Sequence, residues 1–412
     1  MVKKILFFCL FAIHGFANKA QSNRLQYYID NAIEHSPLLK DILNQVELNN
    51  YDSLLIRAAA KPQVNGTSFN SYAPTIKGIG YDGAITNGGT FNALIGVNKL
   101  IPNKKNLAAQ FENLQLVNQT LHNTVKVNEQ DLKRTVIAQY ITAFGSFQQL
   151  NFNKDINRLL SKEENILKRL TQSNVYKQTD YLAFLVTLQQ QELLVKQSLI
   201  QYKNDLASLN YLSGISDSAM VTLSVPEIEF NPLPEISRSV LFKQFEIDSL
   251  KLHNNKKLVD MNYRPKLNLF ADAGFYSTLA YSPYKNFGTS LGLSFTLPLY
   301  DGKQKKMQYS KIDIAEKTRK NYRVFFIAQY QQQTAQLSRQ LNATESLIAD
   351  INNQLKYTQS LIDVNSKLLE TGEARITDYI LALNNYMNAR NLITQNTISR
   401  LQLINQLNYW NR

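Results

Sequence analysis

The chain has 412 residues, a formal net charge of +13 at pH 7 and a single cysteine, Cys9. Because Cys9 lies within the export signal predicted below, the mature chain has no thiol, which excludes disulfide bonds and cysteine chemistry. Its Lys and Arg residues are scattered along predicted helices without a dense run or an aromatic-rich motif, so the sequence favours a solvated basic surface and predicts no nucleic-acid partner.

Residues 1–17 have the pattern of a secretory signal peptide. Lys3 and Lys4 precede an apolar stretch over residues 5–16, and small residues stand at the end of that stretch. We expect cleavage after Ala17. The apolar stretch is shorter than the roughly 20 residues that a membrane-spanning helix needs, so a signal peptide is favoured over an anchor. No later run is hydrophobic enough and long enough for a membrane helix.

The first mature segment, residues 24–60, has apolar residues at helical spacing. Ser36 followed by Pro37 is typical of an N-cap and a first helical position, which predicts two helices instead of one. Pro62 is expected to end the second of these helices.

The hydrophobic period then changes from helical to alternating. Phe91, Ala93, Ile95, Val97 and Ile101 share one face of a predicted strand, and Lys99 is the only interruption of that face. A loop rich in Gly, Pro, Asn and Tyr comes before this strand. The sequence therefore predicts a β-hairpin over about residues 63–101.

Long helices are predicted to follow over about residues 103–213, because no proline lies between Pro102 and Gly214. Apolar residues recur there at coiled-coil spacing, with Glu192 as one polar interruption of the seam. A break is predicted near Asn174, which tolerates the left-handed backbone of a helix end, just before Thr179 and Asp180. This completes a first structural repeat, residues 18–214, and a proline-containing connector over residues 215–236 follows.

Residues 237–412 show the same order of elements again. A short helix is followed by a predicted hairpin over about residues 266–299, with strictly alternating apolar and small polar residues, and then by long helices over about residues 302–411. Gly372 is expected to end the incoming helix with a left-handed cap, and Thr377 is expected to N-cap the outgoing one. Heptad spacing of the incoming helix is carried by Leu341, Ile348, Leu355, Ile362 and Leu369.

Corresponding features of the two repeats lie about 200 positions apart: Pro62 and Pro265, Pro102 and Pro298, and Asp180 and Asp378. Such constant spacing indicates an internal duplication. Each repeat supplies one hairpin, so one chain has about four strands. Four strands cannot close a barrel, and open sheet edges cannot face lipid, whereas three chains would provide about twelve strands.

In its duplication, its proline-bounded hairpins and the order and spacing of its turns, the chain resembles the TolC-type family of outer-membrane efflux ducts. The resemblance covers nearly the whole mature chain. It implies an α+β membrane protein in which long coiled-coil helices form a periplasmic helical barrel. Two β-hairpins per chain would contribute to a trimeric, twelve-stranded outer-membrane β-barrel.

The resemblance also implies a function and a location. The chain would be the passive exit duct of a tripartite efflux or type I secretion system in the outer membrane of a Gram-negative bacterium, with a periplasmic extension. Its partners would be two further copies of itself, outer-membrane lipid, a periplasmic adaptor protein and an inner-membrane pump that supplies the energy. The family needs no cofactor.

Two groups of site residues follow from the resemblance. The family closes its periplasmic mouth with aspartates, and Asp378 matches one of them, whereas Leu381 stands at the position of the second. We therefore expect a less acidic constriction. Thr179 and Asp180 match the residues to which the family ties a gate arginine, and Arg375, offset by one place, is the candidate for that arginine. The helical-turn residues expected to contact the adaptor are Gly372, Asn174 and Thr377.

Some of these features have other interpretations. A carboxylate in the first helical turn, as at Asp180 and Asp378, is stabilised by the helix dipole without any gating function. No metal-ligand spacing, nucleophile elbow or phosphate loop is present, so the sequence predicts no enzyme. The alternative to a duct is an exported coiled-coil adaptor or structural surface protein without a channel. That alternative accounts for the heptads but not for the alternating hairpins.

Overall fold

The computed structural model describes residues 24–74, 76–81, 89–216, 219–230, 236, 239–278 and 285–410. The predicted signal peptide, residues 1–17, lies outside these ranges. Within the described part of the chain, no helix combines the length and the apolar character that crossing a membrane would require.

The order of elements is the same in the two halves of the chain. The first half contains α1 (Leu25–His35), α2 (Pro37–Ala59), β1 (Gln63–Tyr72), β2 (Gly89–Ile101), α3 (Lys104–Gln172) and α4 (Gln178–Leu212). The second half contains α5 (Val240–Asn262), β3 (Lys266–Ser277), β4 (Phe287–Thr296), α6 (Gln304–Thr371) and α7 (Ile376–Trp410).

The long helices and their boundaries agree with the sequence predictions. Helices α3 and α6 have 69 and 68 residues, and a straight helix of that length extends about 100 Å. The separation of α1 from α2 is also as predicted: the Ser36 hydroxyl accepts a hydrogen bond of 3.3 Å from the Leu39 amide, which makes Ser36 the N-cap of α2.

The chain forms two compact units, and neither unit corresponds to one repeat. One contains residues 125–241 and 325–412 together with residues 1–40, and the other contains residues 41–124 and 242–324. Each unit therefore gathers equivalent segments from both halves of the chain. We call the first the helical unit and the second the sheet unit.

The core of the helical unit has two main clusters of buried side chains. The first includes Tyr28, Tyr140 and Tyr202, and segment 219–230 packs on it: the Tyr140 hydroxyl donates to the Ser224 carbonyl at 2.8 Å, and Leu223 is buried. The predicted connector is thus part of the core where the structure describes it. The second cluster lies where α3, α4, α6 and α7 meet near their turns.

One detail of the predicted coiled-coil seam is wrong. Glu192 was expected to interrupt the seam of α4, but it is exposed, and its neighbour Gln191 is buried instead. The Gln191 amide donates to the Asn153 carbonyl at 2.9 Å. Gln191 lies seven residues after the buried Phe184, so both belong to the same buried stripe of α4. The polar interruption of the stripe is therefore one position earlier than predicted. A neutral amide with a partner is much less costly to bury than a carboxylate.

The sheet unit contains a four-stranded antiparallel sheet in the order β1-β2-β3-β4. Each hairpin pairs as predicted, and the hairpins are joined through β2 and β3, with Ile101 opposite Leu267 and Phe91 opposite Ser277. Helices also contribute to this unit. The side-chain amide of Asn254 in α5 donates to the Ala109 carbonyl of α3 at 3.0 Å, deep in the helical part.

Candidate functional site

The two helical turns of the helical unit have the same backbone motif. At the end of α3, Asn174 has φ +60°, and the Val175 amide donates back to the Leu170 carbonyl at 2.9 Å. At the end of α6, Gly372 has φ +80°, and the Glu373 amide donates to the Leu368 carbonyl at 2.9 Å. Both are Schellman-type helix ends with a left-handed residue at the stop. The prediction of left-handed caps at Asn174 and Gly372 is confirmed.

The prediction that Thr377 N-caps the outgoing helix is wrong. Helix α7 begins at Ile376, so Thr377 lies inside its first turn. The N-cap is Arg375, whose carbonyl accepts from the Asp378 amide at 3.0 Å. The equivalent residue of the first repeat, Thr179, also lies inside the first turn of α4, behind the N-cap Lys177. The helices begin two residues earlier than a threonine cap would require.

The turns of the two repeats touch each other directly. The Tyr176 hydroxyl lies 3.0 Å from the Leu369 carbonyl oxygen and 2.9 Å from the Ala374 carbonyl oxygen, both of which belong to the second turn. Val175 approaches Gly372 so closely that a Cβ on Gly372 would lie 2.7 Å from Val175 Cγ1. The turn regions of the first and second repeats therefore form one packed tip.

The predicted gate residues lie at this tip, but Arg375 pairs with a nearer carboxylate than expected. Arg375 donates to both carboxylate oxygens of Asp378, Nε at 3.0 Å and Nη2 at 2.9 Å, from within the same helix end. These hydrogen bonds lower the pKa of Asp378 and raise that of Arg375. The guanidinium is 81% exposed, so the pair contributes little to stability. Leu381, at the position of the expected second aspartate, is exposed.

A buried carboxylate lies close to the tip, and it was not predicted from the sequence. Glu163 of α3 is fully buried. Its Oε1 accepts from the Ser366 hydroxyl of α6 at 2.7 Å, while Oε2 has no hydrogen-bond partner. Burial raises the pKa of Glu163, the Ser366 hydrogen bond and Lys162 lower it, and Glu370 raises it further. The nearby Tyr379 hydroxyl is also buried and unpartnered, and burial raises its pKa.

The second candidate site is the sheet, whose two faces differ in polarity. The register places Val97, Ala271 and Leu291 side by side on one face. Most large apolar strand residues lie on this apolar face, and those of β4 are exposed, Leu291 to 88%. The opposite face presents mainly small and polar residues, where the Ser290 hydroxyl donates to Asp272 at 2.7 Å. Apart from Lys99, which the sequence already indicated, the apolar face of β2 to β4 carries no charge.

Within the part of the chain that the structure describes, both outer strands of the sheet have an unpaired edge: β1 pairs only with β2, and β4 pairs only with β3. Each of these strands has 10 residues, about the length of a tilted strand that crosses a membrane. An open edge of this length exposes a row of backbone donors and acceptors that another strand can satisfy.

Within the described ranges, no group of three or more His, Cys, Asp and Glu residues is arranged to hold a metal ion.

Comparison with known proteins gives a clear result for structures and none for sequences. No family model matches the chain, and no curated protein matches it. Among solved structures, CusC, studied for transmembrane channel formation, covers 94% of this chain over 92% of its own, with a TM-score of 0.75 and 12% identity. The outer-membrane protein VceC from Vibrio cholerae covers 94% over 96% of its own chain, with a TM-score of 0.72 and 10% identity.

A third structure, the open state of the Neisseria gonorrhoeae MtrE outer-membrane channel, covers 94% of this chain over 88% of its own, with a TM-score of 0.73 and 12% identity. The chain has the TolC-type fold. The predicted fold class is thereby confirmed: long helices combined with two β-hairpins per chain. At 10–12% identity, the likeness of the TolC-type fold is one of architecture.

Sequence reasoning missed the residues that join the two repeats at the tip. Tyr176 and Glu163 have partners about 200 positions away in the chain. No local pattern specifies such pairs, because they depend on the axial register between helices of different repeats. One signal was present for Glu163: an acidic residue between the apolar positions Leu160 and Leu167, both of which are buried on the same stripe of α3.

Proposed function

We propose that this chain is the outer-membrane exit duct of a tripartite efflux or type I secretion system. Three copies would join their four-stranded sheets into a twelve-stranded barrel, and the long helices would line the periplasmic passage. The observation that carries the proposal is the sheet itself. It combines an exposed apolar face, a polar face and two open edges, which is what lipid outside, water inside and a neighbouring copy on each side require.

The polarity of the two faces gives a direct test of membrane insertion. Leu291 lies near the middle of β4 on the apolar face, and Ser294 lies on the polar face of the same strand. Leu291→Arg should disfavour insertion by about 2–4 kcal/mol per protomer, since arginine at mid-bilayer depth costs that much in membrane barrels. Ser294→Arg is the matched control and should insert normally. The measurement is the fraction of protein that remains in outer membranes after carbonate extraction.

The result also separates the duct from its alternative. A coiled-coil adaptor or surface protein without a channel would be released by carbonate, and its release would not depend on which face of β4 carries the arginine. Equal behaviour of the two variants would therefore refute the duct. Purified duct protein should also migrate as a trimer and conduct ions across planar bilayers.

We further propose that the packed tip is the gate and the docking point for a periplasmic adaptor that links the duct to an inner-membrane pump. The gate would consist of Asp378, Arg375, Asp180 and Thr179. Opening would depend on whether Arg375 remains on Asp378 or reaches Asp180. Arg375→Ala should then raise single-channel conductance, whereas Arg339→Ala, which removes another exposed arginine, should leave it unchanged. An unaltered conductance of Arg375→Ala would count against the gate.

The docking proposal rests on the exposed turn residues, which include Asn174, Thr377 and Glu373, beside Gly372. Because the mature chain has no native cysteine, a single thiol can be placed without background. A photocrosslinker on Glu373→Cys should capture the adaptor in cells. The same reagent on Lys77→Cys, in the loop between β1 and β2, should not. Capture from both positions would contradict docking at the tip.

A further inference from the structure

Positive charge is concentrated at one end of the sheet. The strand ends adjoining α2, α3, α5 and α6 are flanked by residues 60–62, 99–106, 263–266 and 297–306, which together contain nine cationic residues and one carboxylate, Asp301. We call the nine cationic residues the basic collar: Lys61, Lys99, Lys104, Lys105, Arg264, Lys266, Lys303, Lys305 and Lys306. These residues are scattered in sequence. The antiparallel register brings their segments together, since Gln63 lies opposite Asn98 and Lys266 opposite Thr296.

The other end of the sheet has no such concentration. In sequence, the segments between the strands of each hairpin, residues 73–88 and 278–286, contain only Lys77, Asp82 and Lys285 as charged residues. The asymmetry is therefore a property of the sheet ends and does not reflect the basic composition of the whole chain.

Among the described residues, most of the collar charge has no carboxylate partner. Asp301 accepts hydrogen bonds from the backbone amides of Lys303 and Lys305, at 2.8 and 2.7 Å, and so serves the start of α6. Asp260 pairs with the Lys305 ammonium group at 2.8 Å. The other seven collar lysines are all exposed, and none has a carboxylate within 4 Å among the described residues.

Apolar and aromatic side chains mark the boundary next to the collar. Ile101, Leu267 and Phe295 form the last row of the apolar face across three strands. Beyond this row, Leu299 is 90% and Tyr300 is 84% exposed. Amphipathic aromatic rings beside basic residues are typical of the depth at which a protein leaves the hydrocarbon and meets lipid headgroups.

Two further contacts place collar residues at the same depth. The Lys305 ammonium group lies 5.6 Å from the ring centre of Tyr263 and 5.9 Å from that of Tyr309. Lys99 lies on the apolar face, opposite Leu269 and one pair before the last row. A lysine there keeps its stem in the apolar layer and extends its charge toward the headgroups.

From this arrangement we propose that the collar residues other than Lys266, which lies on the polar face of β3, bind the phosphate groups of anionic phospholipids in the leaflet that borders this end of the sheet. The inference rests on the proposed function, because it requires the apolar face to be embedded in a bilayer. In a trimer, three collars would form a ring around the barrel. Each cationic residue held near an anionic leaflet adds to the attraction, and the attraction is screened by salt.

The test uses the mature full-length protein reconstituted in phosphatidylcholine bilayers that contain spin-labelled phosphatidylglycerol or spin-labelled phosphatidylcholine. Electron paramagnetic resonance gives the share of each labelled lipid that is immobilised at the protein. We expect phosphatidylglycerol to be favoured at least about three-fold at about 50 mM salt and the preference to fall toward one at about 500 mM. This salt arm tests the proposal without any substitution.

Two variants with equal loss of charge locate the effect. The collar variant is K99Q/K104Q/K105Q/K306Q, and it should lose most of the preference. The control variant, K196Q/K203Q/K356Q/K367Q, removes four exposed lysines of the helical unit and should keep it. A wild-type preference near one, or equal losses in the two variants, would overturn the proposal.

Flotation with pure phosphatidylcholine vesicles separates this result from the proposed function. Failure of the protein to float with these vesicles would contradict the membrane duct itself. Protein that floats but shows no lipid preference contradicts only the collar. If it shows no preference yet sediments with purified peptidoglycan through the collar lysines, the partner is the cell-wall polymer and the phospholipid assignment is wrong.

Discussion

The substitution Gly372→Ala tests how the tip is held together. Gly372 ends α6 with φ +80°, and Val175 of the other repeat packs directly on it. A side chain at this position must therefore satisfy two separate constraints, the backbone conformation and the space left by Val175.

An L-residue held in the left-handed conformation costs about 1–2 kcal/mol relative to glycine. The new Cβ would also lie 2.7 Å from Val175 Cγ1. Val175 is β-branched and about half exposed, so it can turn away, but leaving its rotamer costs about 0.5–1.5 kcal/mol. Together, Gly372→Ala should destabilise the tip by about 2–3 kcal/mol, which corresponds to an increase of about 30-fold or more in local opening.

Hydrogen–deuterium exchange of the detergent-solubilised protein, read on peptides covering about residues 365–380, measures this opening. The amides of Gly372 and Glu373, which close the helix end, should exchange at least about 30-fold faster in Gly372→Ala. In the double variant Gly372→Ala/Val175→Ala, the part of the exchange increase caused by the clash with Val175 should disappear. The part caused by the left-handed backbone should remain. Asn174→Gly, at the equivalent site of the first repeat, should slow exchange of the amides at the end of α3. Unchanged exchange in Gly372→Ala would refute this account of the tip.

Two further predictions concern the sheet and the buried carboxylate. Gly274 has φ +154°, and a Cβ there would lie 2.2 Å from the Ala93 carbonyl oxygen, so Gly274→Ala should prevent membrane assembly. Gly288 pairs with Gly274 and has open space around it, so Gly288→Ala should assemble normally. Heat-resistant migration on gels measures assembly. Because burial raises the pKa of Glu163, the folded protein keeps a proton that the unfolded chain releases above about pH 4.5, and stability falls as pH rises, by up to about 1.4 kcal/mol per pH unit between the two pKa values. The melting temperature of Glu163→Gln should therefore exceed that of the wild type by an amount that grows as the pH rises above about 4.5 toward the raised pKa of Glu163. Glu192→Gln, at an exposed site, is the control and should leave the melting temperature near that of the wild type. A pH-independent difference for Glu163→Gln would contradict this account.

The architecture could be predicted from the sequence because its determinants are local. The helices run as far as proline and left-handed residues allow, and β1 and β3 begin directly after Pro62 and Pro265. The alternation of apolar and polar residues predicted the two hairpins, and the strand register places the alternating apolar residues on one face of the sheet. Asn174 and Gly372 were predicted as helix ends because few residues tolerate φ above zero.

What the sequence did not specify depends on how helices from different repeats align. Gln191 is buried and its neighbour Glu192 is exposed, and a shift of one residue in the buried stripe of α4 would reverse the two. Glu163 meets Ser366 across about 200 positions for the same reason. The N-cap of α7 differs from the prediction because the helix begins two residues earlier, at Ile376, which makes Arg375 the residue whose carbonyl accepts from the Asp378 amide.

The division of the chain into two compact units has a consequence for biogenesis. Each unit takes segments from both repeats, so the first half of the chain cannot complete either unit while the second half is still being synthesised. Strand β2 can pair on its second edge only after β3 is present, and the tip can pack only after α6 is present. Until then, two strand edges and the apolar stripes of the long helices remain uncovered. Such a chain is exposed to aggregation and proteolysis until its second half is made, and a premature stop near residue 214 would leave a polypeptide that cannot complete either unit.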